Sequence, residues 1–364
     1  MYINSIQWKF IMKLKLILFS IILLLIQPAF AINKIIFFGD SLSDSGNFYR
    51  DVLGYMPKDP PYYKGKFSNG QVWSEYVAQY FSDKNNIETA NYAIGGQTAF
   101  LHNPFEGYLP YTLSMSYANY ILHSAFSDRS STLFVIWIGA NDYLPNVDNG
   151  DQLSDNVVNS IQTIIENLIY HGGNNFLLLN LPDLASTPFG QASSYKEKLK
   201  TTTQAHNLKM EKMLSTLQGS YKNINIHLFD INQFFAKAIA NPEEYNKKYN
   251  THITNVKDSC WSGGYSKAKR KLTRSFITEK INSYNRSQIK FTSSVAHTDE
   301  LAEYIYQSPA LLEGFKMSNY KEMGLKPCEN PDSYIFWDKV HPGSVPHKII
   351  AQELIEFISV NYKT

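Results

Sequence analysis

Short apolar runs alternate with longer segments of helical spacing over the first two thirds of the chain. Five apolar runs predict strands, at residues 34–38, 87–93, 132–139, 174–181 and 223–229. Apolar residues at helical spacing predict helices at 72–81, 113–126, 153–170, 193–217 and, near the end of the chain, 346–360. Strands and helices that alternate in this way form parallel sheets with right-handed crossovers. The sequence therefore predicts an α/β fold, a three-layer α/β/α sandwich around a central parallel sheet of about five strands.

The alternation breaks after residue 240. Residues 241–339 contain no clear strand pattern, and their composition becomes polar and basic. An irregular stretch of this length inside a compact domain is usually functional or partly disordered. The sequence contains no internal repeat, and no segment has the composition of a linker to a second domain. We therefore expect a single domain at 32–364 with a long insertion at about 241–337.

The N-terminal segment has the pattern of a secretory signal peptide. Lys13 and Lys15 precede an apolar run of 11 residues, and Ala29 and Ala31 form a small-residue cleavage box. A membrane span needs about 20 apolar residues, and an uncleaved anchor is the alternative interpretation. We predict a signal peptide at 1–31, cleavage after Ala31, and a secreted or periplasmic protein.

The charge balance argues against a nucleic-acid partner. The chain has 34 basic and 32 acidic side chains, a formal net charge of +2. The first 31 residues carry three lysines and no acid, so 31 basic and 32 acidic side chains remain after them. A nearly neutral domain has no basic footprint for a phosphate backbone.

The chain contains two cysteines, Cys260 and Cys328. In an oxidising compartment a Cys260–Cys328 disulfide is favoured over two free thiols. No Cys-x-x-Cys or His-Glu-x-x-His pattern occurs, so we expect no metal, and we expect no other cofactor.

A serine follows the first predicted strand. Ser41 lies in the sequence Gly-Asp-Ser, and Gly39 permits a sharp turn at the end of the strand. Sites in open parallel sheets form outside the carboxyl ends of the strands, so Ser41 is a candidate nucleophile. The alternative is a serine that caps a helix N-terminus.

Asp338 and His341 lie three residues apart, just before the last predicted helix. A serine hydroxyl needs a base, and an imidazole held by a carboxylate can take its proton. One short turn would supply both groups. The alternative is a surface pair at a helix start.

Two further turns could stabilise a developing oxyanion. Asn141 follows the most apolar strand and offers an amide N–H donor. Gly95 and Gly96 follow another strand and allow a backbone N–H to approach a substrate closely. Each alone could be an ordinary turn.

Together these motifs resemble a GDSL-family lipase/esterase of the SGNH hydrolase superfamily. Ser41 in "FFGDSLSDSGN", Gly96 in "NYAIGGQTA", Asn141 in "GAND", and Asp338 with His341 in "DKVH" match its four blocks in order. The resemblance implies an SGNH-type fold and ester hydrolysis with catalytic Ser41, Asp338 and His341. It also implies an oxyanion hole formed by Ser41, Gly96 and Asn141.

Within this family, the chain is similar to secreted bacterial members that have a long C-terminal insertion. Those members resemble phospholipases, lysophospholipases and lipid acyltransferases in activity. We therefore expect a lipid or lysophospholipid substrate, and first of all lysophospholipase A or phospholipase A activity. The alternatives are a glycerophospholipid acyltransferase and a carbohydrate acetylesterase with the same triad. The least favoured alternative is a binding protein that has lost catalysis. Such a protein would be expected to lack part of the triad, whereas Ser41, Asp338 and His341 are all present.

A basic run lies at residues 266–274, with five cations and no acid, between the two cysteines. It has three interpretations: a solvated loop, a contact for anionic lipid headgroups, or a protease-sensitive tether. Under the third, an activating protease would cut the 261–327 loop, and the disulfide would hold the two halves together.

Overall fold

The computed structural model describes residues 31–100, 111–125, 127–145, 148–263, 272–287 and 298–364. Most of the predicted signal peptide lies outside the described residues, as does the basic run up to residue 271. In the described ranges, no helix is both long and apolar enough to cross a bilayer.

The central sheet has five parallel strands, as predicted. They are β1 Lys34–Gly39, β2 Glu88–Asn91, β3 Thr132–Trp137, β4 Asn175–Leu179 and β5 Asn225–Phe229. Their order is β2-β1-β3-β4-β5, and every neighbouring pair is parallel. β2 has four residues instead of the predicted seven. It lies at the edge of the sheet, where it pairs with one neighbour only.

The helices follow the predicted spacing with small changes at their ends. In chain order they are α1 Asn47–Asp51, α2 Trp73–Asn85, α3 Leu113–His123, α4 Ala140–Tyr143, α5 Gly150–Tyr170, α6 Pro188–Ala192, α7 Lys196–Ser220, α8 Ile231–Ala240, α9 Pro242–Tyr249, α10 Arg274–Ser287, α11 Thr298–Gln307, α12 Pro309–Ser318, α13 Tyr320–Met323 and α14 Ser344–Asn361.

The strand order places the helices in two layers. The chain moves in one direction along the sheet from β1 to β2, and in the other direction from β2 to β3, β4 and β5. With right-handed crossovers, α2 therefore covers one face and α3, α5 and α7 cover the other. α14 packs against α2, and α5 packs against α7. This arrangement is the predicted α/β/α sandwich.

The reversal of direction also locates a crevice. β1 and β3 are neighbours, and Gly39 at the end of β1 pairs with Trp137 at the end of β3. In open α/β sheets, ligands bind outside the carboxyl ends of the strands at such a switch point. Residues that follow β1 and β3 therefore meet at one place.

Residues 241–339 show no clear strand pattern in the sequence, but the structure has short strands there. Among the described residues of this range these are β6 Asn255–Ser259, β7 Trp261–Gly263, β8 Leu325–Pro327 and β9 Tyr334–Phe336. β6 pairs in parallel with β9, and β7 pairs antiparallel with β8. These strands have three to five residues and few apolar positions, so they leave no periodic pattern in the sequence.

The insertion helices build a second hydrophobic core, in addition to the core that surrounds the central sheet. Its buried members come from the segment after β1 and from the insertion: Phe48, Val52, Tyr55, Met56, Tyr62, Phe67, Cys260, Trp261, Leu272, Phe276, Ile277, Ile281, Ala302, Tyr304, Ile305, Leu311, Phe315, Met317, Met323 and Trp337. We call this set the second core. A disulfide joins Cys260 to Cys328 and fastens β7 to β8 at its border.

Candidate active site

Ser41 and His341 meet at the crevice although 300 positions separate them in the sequence. Ser41 follows β1, and His341 precedes α14. The distance between Ser41 Oγ and His341 Nε2 is 2.9 Å. Both side chains are buried, with exposed fractions of 3% and 0%. An imidazole at this distance can take the hydroxyl proton.

Asp338 completes the hydrogen-bonded chain. Its Oδ2 lies 2.7 Å from His341 Nδ1. Its Oδ1 accepts the backbone N–H groups of Val340 and His341, each at 2.8 Å. Burial acts to raise the pKa of Asp338, but His341 and the hydrogen bonds to the carboxylate hold this pKa below its ordinary value. Asp338 is therefore ionised at neutral pH and can stabilise an imidazolium.

Asn141 follows β3, the neighbour of the strand that Ser41 follows. It lies on α4 with 4% of its surface exposed, and its Nδ2 donates to the Gln97 carbonyl at 3.0 Å. An amide nitrogen has two hydrogens, so one remains for another acceptor.

Gly96 lies in the loop formed by residues 95–100, which we call the glycine loop. Its φ of +78° lies in the left-handed region that favours glycine. Side chains from the β1 and β3 turns hold this loop from both sides. Asp44 accepts the Gly95 N–H at 2.8 Å, and Asp142 accepts the Ala99 N–H at 2.8 Å.

Asp44 also belongs to the turn that carries the serine. It accepts N–H groups of Gly46, Asn47 and Phe48 at the start of α1, in addition to the Gly95 N–H. One carboxylate thus connects the serine turn to the glycine loop.

Asp40 immediately precedes Ser41 and accepts the Leu42 N–H at 3.0 Å. Burial raises the pKa of Asp40 to about 7, and the Leu42 hydrogen bond and His341 only partly oppose this effect. The Asp40 carboxyl therefore braces the serine turn while it titrates close to neutral pH.

A small cavity borders Ser41 and Asn141. Its free volume is about 40 Å³, whereas pockets that hold drug-sized ligands span roughly 300–1,000 Å³. Most of its lining is apolar, and the lining residues include Leu42, Trp137, Leu144, Leu184, Phe235 and Phe336. A cavity of this size has room for a short apolar group, and a long chain would require the walls to move.

The structure joins Ser41, His341 and Asp338 into one continuous hydrogen-bonded chain at this crevice. Asn141 lies on α4, and its amide contacts the glycine loop, which contains Gly96. Among the described residues, no group of three or more His, Cys, Asp or Glu side chains could hold a metal ion.

Sequence reasoning missed Tyr62 and Phe67. The Tyr62 hydroxyl donates to Asp338 Oδ2 at 2.5 Å, and the Phe67 ring lies 5.0 Å from the His341 ring between centroids. Both come from an aromatic-rich segment without helical or strand spacing. Because Asp338 is 276 positions away from Tyr62, no local pattern could have revealed the contact.

Comparisons with known proteins agree with the motifs. The family described as "GDSL-like Lipase/Acylhydrolase" matches residues 35–354. Phosphatidylcholine-sterol acyltransferase of Aeromonas hydrophila is 29% identical over 342 residues, which cover 93% of this chain and 92% of that protein. Thermolabile hemolysin of Vibrio parahaemolyticus is 26% identical over 331 residues, which cover 89% of this chain and 63% of that protein.

Among solved structures, a carbohydrate acetylesterase from Sinorhizobium meliloti is similar with a TM-score of 0.36 and 15% identity. The match covers 55% of this chain and 85% of that one.

Proposed function

We propose that this chain, which belongs to the GDSL-like lipase/acylhydrolase family, hydrolyses lipid esters through an acyl intermediate on Ser41. The observation that carries the proposal is the hydrogen bond of 2.9 Å between Ser41 Oγ and His341 Nε2. This contact supports the proposal, because a buried hydroxyl that borders an apolar cavity has an imidazole within reach to act as its base.

In the first step, Ser41 Oγ forms a bond to the ester carbonyl carbon while His341 Nε2 takes the hydroxyl proton. The carbonyl oxygen becomes an oxyanion. When the tetrahedral intermediate collapses, the ester C–O bond breaks and His341 protonates the leaving alcohol. Asp338 keeps the imidazole in the required tautomer throughout.

In the second step, water attacks the acyl carbon and gives a proton to His341. The bond between the acyl carbon and Ser41 Oγ then breaks, the carboxylic acid is released, and the proton returns to Ser41. The Asn141 amide and the backbone N–H groups of Ser41 and Gly96 are the proposed oxyanion donors in both steps.

Phospholipids and lysophospholipids are the proposed substrates. The apolar lining of the cavity suits an acyl group, and the Aeromonas relative carries the name of an enzyme that uses phosphatidylcholine. The same relative favours a second activity, in which an alcohol replaces water in the second step and the acyl group is transferred. The intact hydrogen-bonded chain argues against a binding protein without catalysis.

Export and a lipid-facing location are part of this proposal. The Cys260–Cys328 disulfide suits an oxidising compartment, which agrees with a signal peptide cleaved after Ala31. Lipid-surface contact and activation by a protease in the 261–327 loop remain predictions. Residues 264–271 and 288–297 of that loop lie outside the described residues.

A substrate panel tests the proposal. Chain 32–364 is offered lysophospholipid, diacyl phospholipid, acetylated sugar and short-chain nitrophenyl esters, with and without a sterol or glycerol acceptor. We expect fatty-acid release from the lipids and a loss of up to about 10⁶-fold in Ser41→Ala. A Ser41→Ala protein with wild-type turnover would contradict the proposal. Acyl-sterol or acylglycerol products would favour transfer over hydrolysis.

The same panel after mild proteolysis tests the loop. Activation that follows a cut between Cys260 and Cys328 would support the tether interpretation. Unchanged activity after complete cleavage of this loop would contradict the interpretation that it is a protease-sensitive tether.

A further inference from the structure

The Asp338 carboxylate has a filled set of hydrogen-bond acceptor positions. A carboxylate offers about four lone-pair sites. Oδ1 accepts the N–H groups of Val340 and His341, and Oδ2 accepts His341 Nδ1 and the Tyr62 hydroxyl. Three of these donors come from the Asp338 turn itself. Tyr62 is the one that comes from elsewhere in the chain.

The direction of the Tyr62 hydrogen bond is fixed. Tyr62 is 1% exposed, and burial together with the Asp338 charge raises its pKa well above the ordinary value. The phenol therefore keeps its proton at every working pH and donates it to Oδ2. This is the same oxygen that faces His341, so the phenol and the imidazole share its charge.

The second core holds Tyr62 in place. Tyr62 packs on Phe67, with ring centroids 6.0 Å apart, and both belong to that core with residues of the insertion. Phe67 lies against Gly314 on α12, where a side chain in place of the glycine hydrogen would meet the Phe67 ring at 2.7 Å. The segment that carries Tyr62 thus lies between the insertion and the Asp338–His341 pair.

We propose that Tyr62 is a positioning residue of this site, through which the second core fixes the Asp338 carboxylate and tunes its attraction for the His341 imidazolium. The inference rests on the proposed function, because it assigns Tyr62 to the same ester-cleaving triad. Without the phenol, one lone pair of a buried carboxylate would have no donor. Asp338 would then be less constrained and would hold more charge toward His341.

Other titratable groups near this pair remain unchanged in the test. Asp40 faces His341 from the serine turn, His347 faces it from α14, and Glu313 faces Tyr62 from α12. Since all three are present in the wild type and in each variant, a change in the pH profile reports the Tyr62 substitution.

The test compares Tyr62→Phe with Tyr55→Phe. Tyr55 is a matched control, because it is a tyrosine of the second core with 3% exposure whose hydroxyl has no partner among the described residues. The measurements are kcat, KM and the pH profile of kcat/KM on one ester, and the rate at which a fluorophosphonate labels Ser41. Melting temperatures report whether each variant folds.

We expect Tyr62→Phe to lower kcat and the labelling rate about tenfold, with KM within about twofold. The acid limb of its pH profile should move to higher pH, because the protonated imidazole is better stabilised. Tyr55→Phe should match the wild type. If Tyr62→Phe gives the kcat and pH profile of Tyr55→Phe, the inference is wrong.

A second variant keeps the packing intact. Incorporation of 3-fluorotyrosine at position 62 makes the phenol a stronger donor, so the acid limb should move to lower pH, opposite to Tyr62→Phe. A purely structural role for Tyr62 would not give opposite shifts, and an unmoved limb would contradict the inference. Ser41→Ala distinguishes a failure of the proposed function from a failure of the Tyr62 inference. Retained turnover in Ser41→Ala would contradict the proposed function. If Ser41→Ala is inactive, the Tyr62 variants alone decide the inference.

Discussion

Leu311 of the insertion lies directly against Gly96 of the glycine loop. A methyl group in place of one Gly96 hydrogen would come within 2.7 Å of Leu311 Cδ1, and within 2.7 Å of the Tyr304 hydroxyl. Helices α11 and α12 therefore cover the loop that carries a proposed oxyanion donor. The insertion therefore contributes residues that contact the proposed site.

This contact predicts the effect of Gly96→Ala. The new methyl group must displace Leu311 or the loop, and a φ of +78° adds backbone strain. We expect kcat to fall about 10²-fold, the loss typical for one oxyanion donor, when ester hydrolysis is measured at saturating substrate.

Gly172→Ala is the control for that experiment. Gly172 also has a left-handed φ, +91°, but a methyl group there would meet nothing within 4 Å. It should show comparable strain in its melting temperature and wild-type kcat. Equal losses of kcat in the two variants would show that backbone strain alone explains the effect.

Asp40→Asn tests how the buried carboxyl affects stability. Folded Asp40 keeps its proton up to about pH 7, whereas its ordinary pKa is 3.8. Between these values the folded state binds more protons, so the contribution of Asp40 to the free energy of unfolding falls as pH rises. Because an asparagine side chain cannot ionise, the Asp40→Asn variant does not lose this part of the free energy of unfolding as pH rises.

The free energy of unfolding of Asp40→Asn, relative to wild type, should therefore increase from pH 4 to pH 7, by on the order of 3 kcal/mol. It should be constant above about pH 8. Urea unfolding at pH 4, 5, 6, 7 and 8 measures it, and a pH-independent difference would contradict the raised pKa.

Phe235→Ala tests whether the apolar cavity receives the acyl chain. Phe235 on α8 lines this cavity, which has about 40 Å³ of free volume. Removal of the ring should enlarge the cavity and raise the ratio of kcat/KM for an octanoyl ester over an acetyl ester severalfold.

Phe234→Ala is the matched control, because this neighbouring ring packs on Tyr245 and does not line the cavity. Both variants should lose stability, as large-to-small core substitutions do, at about 3 kcal/mol. Only Phe235→Ala should change chain-length preference, and equal preferences would place the acyl chain elsewhere.

Reduction of the Cys260–Cys328 disulfide should lower stability and activity together. The two cysteines are 68 positions apart, and a crosslink over such a loop is worth about 4 kcal/mol. The second core, which holds Tyr62 and Phe67, would loosen. Urea unfolding and ester turnover of the Cys260→Ser/Cys328→Ser protein, compared with wild type, measure both effects. Full activity at reduced stability would show that the site does not depend on this crosslink.

The sheet and the candidate site residues could be predicted from local sequence patterns, because strands and turns depend mainly on residues that are close in the sequence. An apolar run before Ser41 and another before Asn141 predict strands, and turn residues after them predict exposed ends. In an open sheet with this topology, such ends meet at one crevice. The order of the motifs therefore carried most of the information about the site.

The sequence by itself determined the five-stranded sheet, the motif residues and the pairing of the only two cysteines. The tertiary structure alone decided that Tyr62 donates to Asp338, that Leu311 covers Gly96, and that short strands run through the insertion. The first two contacts join segments far apart in the chain, and the packing of the second core holds Tyr62 and Leu311 in place. Because apolar residues can be buried against many different partners, no local pattern specifies which partner they meet.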